Sequence, residues 1–145
     1  MAFTVDRSRS IISAMILGRK VTAMDVAWLR REVFADGAVS REAADELFEV
    51  ERAGVAQTPE WTELLVEMIT EHVVWQSRPT GVVDEKQAEW LIAHADSCTS
   101  VNALAALVNV LGEAHSAPRW FLHAVRARAT SNWAGVAAAP AGAAG

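Results

Sequence analysis

The residues best spaced for chemistry are four glutamates, Glu60, Glu63, Glu67 and Glu71, which recur at three- and four-residue intervals. This spacing places their carboxylates in one row along a helical face, which we name the acidic stripe. Such a row can dock a basic protein surface, or it can bind a metal ion if a histidine joins it, as in a set of Glu63, Glu67 and His72. It can also be a solvated face, because each like-charged pair costs only a few tenths of a kcal/mol.

Replacing Glu67 with glutamine separates two of these possibilities. A solvated stripe predicts slight stabilisation, since two like-charge contacts are relieved. Pairing of the stripe with Arg30 and Arg31 of an earlier helix predicts a loss of up to about 1 kcal/mol. From the sequence we expect the stabilisation.

The other reactive side chains form no recognisable constellation. His72, His94, His115 and His123 include no His-x-x-x-His or Glu-x-x-His pair, and Cys98 is the only cysteine. No Gly-x-Ser-x-Gly turn or Gly-rich phosphate loop is present. The sequence therefore predicts a protein that is not an enzyme and has no catalytic residues, no cofactor and no resident metal.

Two turns share a pattern at an offset of 44 residues, from Gly37 to Gly81. The first comprises Asp36, Gly37, Val39 and Ser40, and the second comprises Gly81, Val83 and Asp84. Each glycine is expected to have a positive φ, and each Ser or Asp to cap the next helix. The valines should point inward and bring the two turns side by side. We interpret this as an internal repeat of a helix-turn-helix unit.

The same turns resemble EF-hand loops, in which glycine holds the sixth position, so their calcium ligands can be checked. Positions one, three, five and twelve are Glu32, Phe34, Asp36 and Ala43 in the first loop, and Gln76, Arg78, Thr80 and Gln87 in the second. Calcium needs six to eight oxygen ligands, which neither loop supplies. We interpret both as degenerate loops without ligands.

Residues 21 to 96 resemble the TerB-like family of tellurite-resistance proteins. The resemblance rests on "ADGAVSREAADELF" and on a weaker second copy, "TGVVDEKQAEWLI". It implies an all-helical fold, and in that family acidic residues are linked to metal binding. Thr80 here replaces the aspartate of the second turn.

The elements that position these residues are predicted to be helices throughout, because apolar residues recur at three- and four-residue spacing. We expect an all-α fold, a single bundle of about seven helices over residues 1–132, and a mobile Ala/Gly/Pro-rich tail over 133–145. The predicted helix starts are Asp6, Thr22, Ser40, Thr58, Asp84, Ser100 and Ser116. The predicted inward positions include Met24, Trp28, Trp61, Met68, Trp75, Trp90, Val101 and Val108.

The charge distribution is uneven although the net charge is only −5. Basic residues prevail before Glu32 and acidic residues prevail from there to Glu71. The two regions can fold against each other or remain exposed to partners. The acidic region disfavours nucleic acid, and a nucleic-acid site would need Arg7, Arg9, Arg19 and Lys20 on one open face. No apolar run is long enough to span a membrane, and we expect a cytoplasmic protein.

Together these observations favour a non-enzymatic helical module that binds a partner protein with a basic surface through the acidic stripe. The alternative is a carboxylate/histidine metal-binding protein with a TerB-like role in stress or metal response.

Overall fold

The computed structural model describes residues 12–131 and Trp133, and the regular structure of these residues is helical. A helix over residues 12–18 (α1) is followed by α2 (Ala23–Glu32), α3 (Arg41–Arg52), α4 (Pro59–Thr70), α5 (Glu85–Cys98), α6 (Val101–Glu113) and α7 (Arg119–Ser131). A π-helical segment, Glu71–Trp75, continues α4. Within the described residues, the predicted all-α class and the prediction of about seven helices are confirmed. The predicted helix start at Asp6 and residues 134–145 of the predicted tail lie outside the described residues.

Polar side chains start most of these helices where the sequence predicts. Thr22 forms a full capping box with Asp25. The side chains of Ser40, Asp84 and Ser100 accept hydrogen bonds from the amides of Ala43, Gln87 and Ala103. Thr58 is an exception, because its hydroxyl makes no cap bond and α4 begins at Pro59 without one. Proline suits this position because it has no N–H to satisfy.

Two predicted helix starts differ in detail from the observed ones. The Gln87 side chain does not return to the backbone of Asp84, since it donates to Ser77 Oγ at 2.6 Å. The seventh helix begins at Arg119 rather than at Ser116, because the Ser116 carbonyl accepts a bond from the Val83 amide at 2.9 Å instead of starting a helix.

The core is one cluster of apolar side chains that draws on every described helix. Trp61, Phe48 and Phe121 are its largest fully buried apolar residues. Trp28 and Trp90 pack against its edge. Trp133, the first residue of the predicted tail, also packs there and donates its indole N–H to Asp96 Oδ1 at 2.6 Å.

Several predicted inward positions are wrong. Met24 is 82% exposed, because Val26 and Leu29 define the buried face of α2 and Met24 lies about 200° around the helix from Val26. Met68, which the repeat aligns with Met24, is buried. On α6 the buried positions are Ala103, Ala106, Leu107 and Val110. Val101 and Val108 lie on the opposite side of α6 from this buried face and are exposed.

The two repeated turns have the expected backbone but not the expected pairing. The φ angles of Gly37 and Gly81 are +78° and +83°, and Val39 and Val83 are buried. The backbone amides of Val39 and Val83 do not bond to each other, however. The Gln76 side-chain amide bonds both to the N–H and to the C=O of Val39, each at 2.6 Å. Val83 bonds to Ser116, so the backbone groups expected to join the two turns are used elsewhere.

Replacing the turn glycines should destabilise the protein unequally. Gly37→Val should lower the free energy of unfolding by about 1 kcal/mol, because the side chain has room but the positive φ is strained. Gly81→Val should cost more, since a Cβ there would also overlap the His115 ring. Chemical denaturation measures both, with Gly112→Ala in α6 as a control of opposite sign. Equal losses at Gly37 and Gly81 would contradict the steric argument.

Candidate functional site

The acidic stripe lies along the outer side of α4, as its spacing predicts. Glu60, Glu63 and Glu67 are exposed, and Glu71, in the π-helical segment, is partly buried. Three of them, Glu63, Glu67 and Glu71, line an open groove between α4 and α6. Glu60 lies outside this groove, so the structure brings together three of the four predicted residues.

The groove has a volume of about 500 Å³. Its lining residues are Thr62, Glu63, Val66, Glu67, Thr70, Glu71, Trp75, Asn109 and Glu113. Helical geometry places Thr62, Val66 and Thr70 in one row, which forms the α4 side of the floor. The fourth carboxylate, that of Glu113, comes from α6 on the opposite side.

Hydrogen bonds between α4 and α6 hold the two walls of the groove in register. Thr62 Oγ1 donates to Asn102 Oδ1 at 2.9 Å. About two helical turns further along both helices, Asn109 Nδ2 donates to Thr70 Oγ1 at 2.8 Å. Residue numbers rise together along both helices, so α4 and α6 run parallel.

Trp75 closes one end of the groove, although the sequence predicts that it lies in the core. It is 37% exposed, while its neighbours Val73 and Val74 are buried. The π-helical turn explains the difference, because an extra residue in a turn rotates the following side chains by roughly 100°. The indole N–H of Trp75 donates to Glu113 Oε1 at 2.7 Å, which joins the end of α4 to the end of α6.

The acidic stripe is not wholly solvated, because Arg30 of α2 reaches it. Arg30 Nη2 lies 3.0 Å from Glu67 Oε1, and the two side chains are 37% and 58% exposed. This contact joins the basic and acidic regions of the sequence. The expectation of a purely solvated face is therefore wrong at Glu67.

The ion pair changes the expected result for Glu67→Gln. Loss of an exposed pair outweighs the relief of repulsion, so we expect a loss of up to about 0.5 kcal/mol at low salt. Glu63→Gln is the matched control, since none of the described residues forms an ion pair with Glu63, and relief of its like-charge contacts should stabilise the protein by about 0.2 kcal/mol. Denaturation at low and high salt measures both. Stabilisation by both variants would show that the Arg30 contact contributes nothing.

The structure does not bring together Glu63, Glu67 and His72, the residues of the metal-binding alternative. His72 is buried, its Nδ1 donates to the Val39 carbonyl at 2.8 Å, and its Nε2 accepts from Arg41 Nε at 3.3 Å. Both ring nitrogens are thus engaged away from the groove. Within the described residues, no group of three or more His, Cys, Asp or Glu side chains is arranged to hold a metal ion.

The predicted turn residue Asp36 and the basic residues Arg19 and Lys20 take part in local backbone structure. Asp36 Oδ1 accepts from the Ala38 amide at 3.0 Å, which closes a local turn. Arg19 ends α1 with a φ of +59°, and Lys20 forms an isolated bridge with Ala56. Arg7 and Arg9, the other members of the basic set, lie outside the described residues.

Sequence reasoning missed a polar and aromatic cluster between α3 and α5. The Arg41 guanidinium lies 4.6 Å from the Trp90 ring centroid and donates to Gln87 at 2.9 Å. Asp45 Oδ1 is 2.9 Å from both Trp90 Nε1 and His94 Nε2. Burial lowers the pKa of His94, although Asp45 opposes the shift. These partners are far apart in the sequence, and no local spacing indicates them.

No protein-family model, curated protein or solved structure matches the chain. In the part of the chain that the structure describes, none of the helices has the length and apolar character needed to cross a bilayer.

Proposed function

We propose that this protein is a non-enzymatic helical module that binds a basic segment of a partner protein in the groove between α4 and α6. The observation that carries the proposal is the position of Glu63, Glu67 and Glu71 along one wall of a cavity of about 500 Å³. Glu113 adds a carboxylate on the other wall. A concave surface with one sign of charge concentrates the field and attracts cationic groups.

The groove also offers contacts that a cationic side chain uses besides charge. Val66 is an apolar residue of the lining, and Trp75 supplies a partly exposed aromatic ring. Lysine and arginine can pack their aliphatic stems on apolar surface and place the charge near an indole ring. We therefore infer that the partner inserts Lys or Arg side chains between α4 and α6.

Two further parts of the proposal concern the ancestry of the turns and the cellular location of the protein. We also propose a TerB-like origin of the two turns, on the sequence resemblance of "ADGAVSREAADELF" and "TGVVDEKQAEWLI" alone. A cytoplasmic location is also proposed, because Cys98 has no second cysteine in the chain with which to form a disulfide.

Binding of a lysine- and arginine-rich peptide, followed by fluorescence anisotropy, tests the proposal. The double variant Glu63→Gln/Glu71→Gln should bind about tenfold more weakly than the unmodified protein. Its matched control is Glu42→Gln/Glu49→Gln, which makes the same change in net charge at exposed positions of α3. The control should change the affinity by less than about twofold. Equal effects of the two variants would reject the groove as the binding site.

A further inference from the structure

The exposed side of α6 is apolar and lies beside the groove. Val101 is 76% exposed and Val108 is 49% exposed. No charged residue occurs on α6 from Val101 to Gly112. Two valines seven residues apart lie on the same side of a helix, about 10 Å from each other along its axis. They form a short unpartnered apolar row, which we name the valine row.

The valine row runs alongside the acidic stripe. Val101 and Val108 each precede an asparagine that faces α4, so each valine projects about 100° around α6 from the groove wall. Because α4 and α6 are parallel, Val101 lies toward the Glu63 end of the groove and Val108 toward the Glu71 end. A segment lying over the groove would contact the carboxylates of Glu63, Glu67 and Glu71 on the α4 side and would reach the valines beyond Asn109 and Glu113, which line the α6 side.

We propose that the basic segment binds as an amphipathic α-helix, with its apolar face on the valine row and its Lys/Arg edge on the acidic stripe. This inference rests on the proposed function. Val101 and Val108 lie about 10 Å apart along the axis of α6, which matches side chains seven residues apart on one face of a partner helix, whereas same-face side chains of a strand lie about 7 or 14 Å apart.

Charge complementarity selects this partner over a second copy of the chain. A symmetric contact through the valine row would bring two acidic stripes close together, in a chain whose net charge is −5. Like charges facing each other at an interface oppose association. A helix with lysines or arginines along one edge meets the same surface with opposite charge.

Two synthetic peptides of identical composition test the inference. One carries leucines at heptad spacing with lysines beside them, and the other has the same residues in scrambled order. The amphipathic peptide should bind at least about tenfold more tightly and should show helical carbon chemical shifts when bound. Equal, salt-sensitive binding of both peptides would overturn the inference that the segment binds as a helix, and it would still agree with the proposed function. Absence of binding by either peptide would reject both proposals.

Variants of the valine row provide the second readout. Val101→Asp and Val108→Asp should each weaken binding of the amphipathic peptide by about tenfold. The added negative charge alone would strengthen binding of any basic peptide, so a loss identifies an apolar contact. Leu17→Asp is the matched control, because Leu17 is 83% exposed and lies on α1, outside the valine row and the acidic stripe. Unchanged or tighter binding by both valine variants would overturn the inference, as would self-association that Val108→Asp abolishes.

Discussion

Replacing Asp96 with alanine should lower the free energy of unfolding by about 3 kcal/mol. Arg128 is 1% exposed, and its Nε and Nη2 donate to the two carboxylate oxygens of Asp96 at 2.7 and 2.8 Å. Burial raises the pKa of Asp96, but the bonds from Arg128 and Trp133 outweigh it and hold the pKa below its usual value. The substitution deprives a buried guanidinium of this carboxylate, which costs much more than removing an exposed ion pair.

Chemical denaturation with two comparison variants checks this result. Arg31→Ala removes an exposed pair with Glu32 and should change stability by less than about 0.5 kcal/mol. The double variant Asp96→Ala/Arg128→Met should recover most of the loss, because it removes the buried charge as well as its partner. A double variant as unstable as Asp96→Ala would show that the loss does not come from the buried charge.

The local features of the fold were predictable because local sequence determines them. Thr22, Ser40, Asp84 and Ser100 accept from amides three residues ahead, so a short stretch of sequence contains both partners. The same holds for the spacing of the acidic stripe, which depends only on helical periodicity. Helix starts and the row of carboxylates could therefore be read without knowledge of the fold.

The rest of the candidate site depends on features that the sequence pattern does not encode locally. The position of Trp75 follows from a π-helical turn, which breaks the periodicity used to place it in the core. Glu113 and Asn109 join the groove only because α6 packs parallel to α4. Arg30 reaches Glu67 from another helix. Contacts of this kind are set by tertiary packing.

The buried carboxylate of Glu51 also depends on tertiary packing that the local sequence does not indicate. Glu51 Oε1 accepts from Trp61 Nε1 at 2.8 Å, from Gln57 Nε2 at 2.9 Å and from Asn102 Nδ2 at 3.2 Å. In the sequence, Glu51 is distinguished only as one member of the acidic region. Its three donors come from α4, from α6 and from the loop before α4, so only the tertiary fold brings them to Glu51.

Stability should also fall steeply as the pH drops below about 6.5, the ordinary pKa of histidine. Burial lowers the pKa of His72, with a further contribution from Arg41, and burial lowers the pKa of His94 as well. The folded state therefore binds fewer protons than the unfolded state just below pH 6.5. Unfolding therefore takes up protons in this range, so the free energy of unfolding decreases as the pH falls.

The contribution of His72 to this pH dependence can be measured separately, because the hydrogen bonds of its ring define its protonation state. The Val39 carbonyl can only accept, so Nδ1 carries the hydrogen, and Nε2 must be unprotonated to accept from Arg41. Protonation of Nε2 breaks that bond and places two positive charges together. His72→Asn should lower stability at neutral pH but reduce the slope below pH 6.5, and His123→Asn, at an exposed position of α7, is the control for the substitution itself. Urea unfolding measured at a series of pH values decides between these outcomes, and an unchanged slope in His72→Asn would show that His72 is not one of the groups that take up a proton.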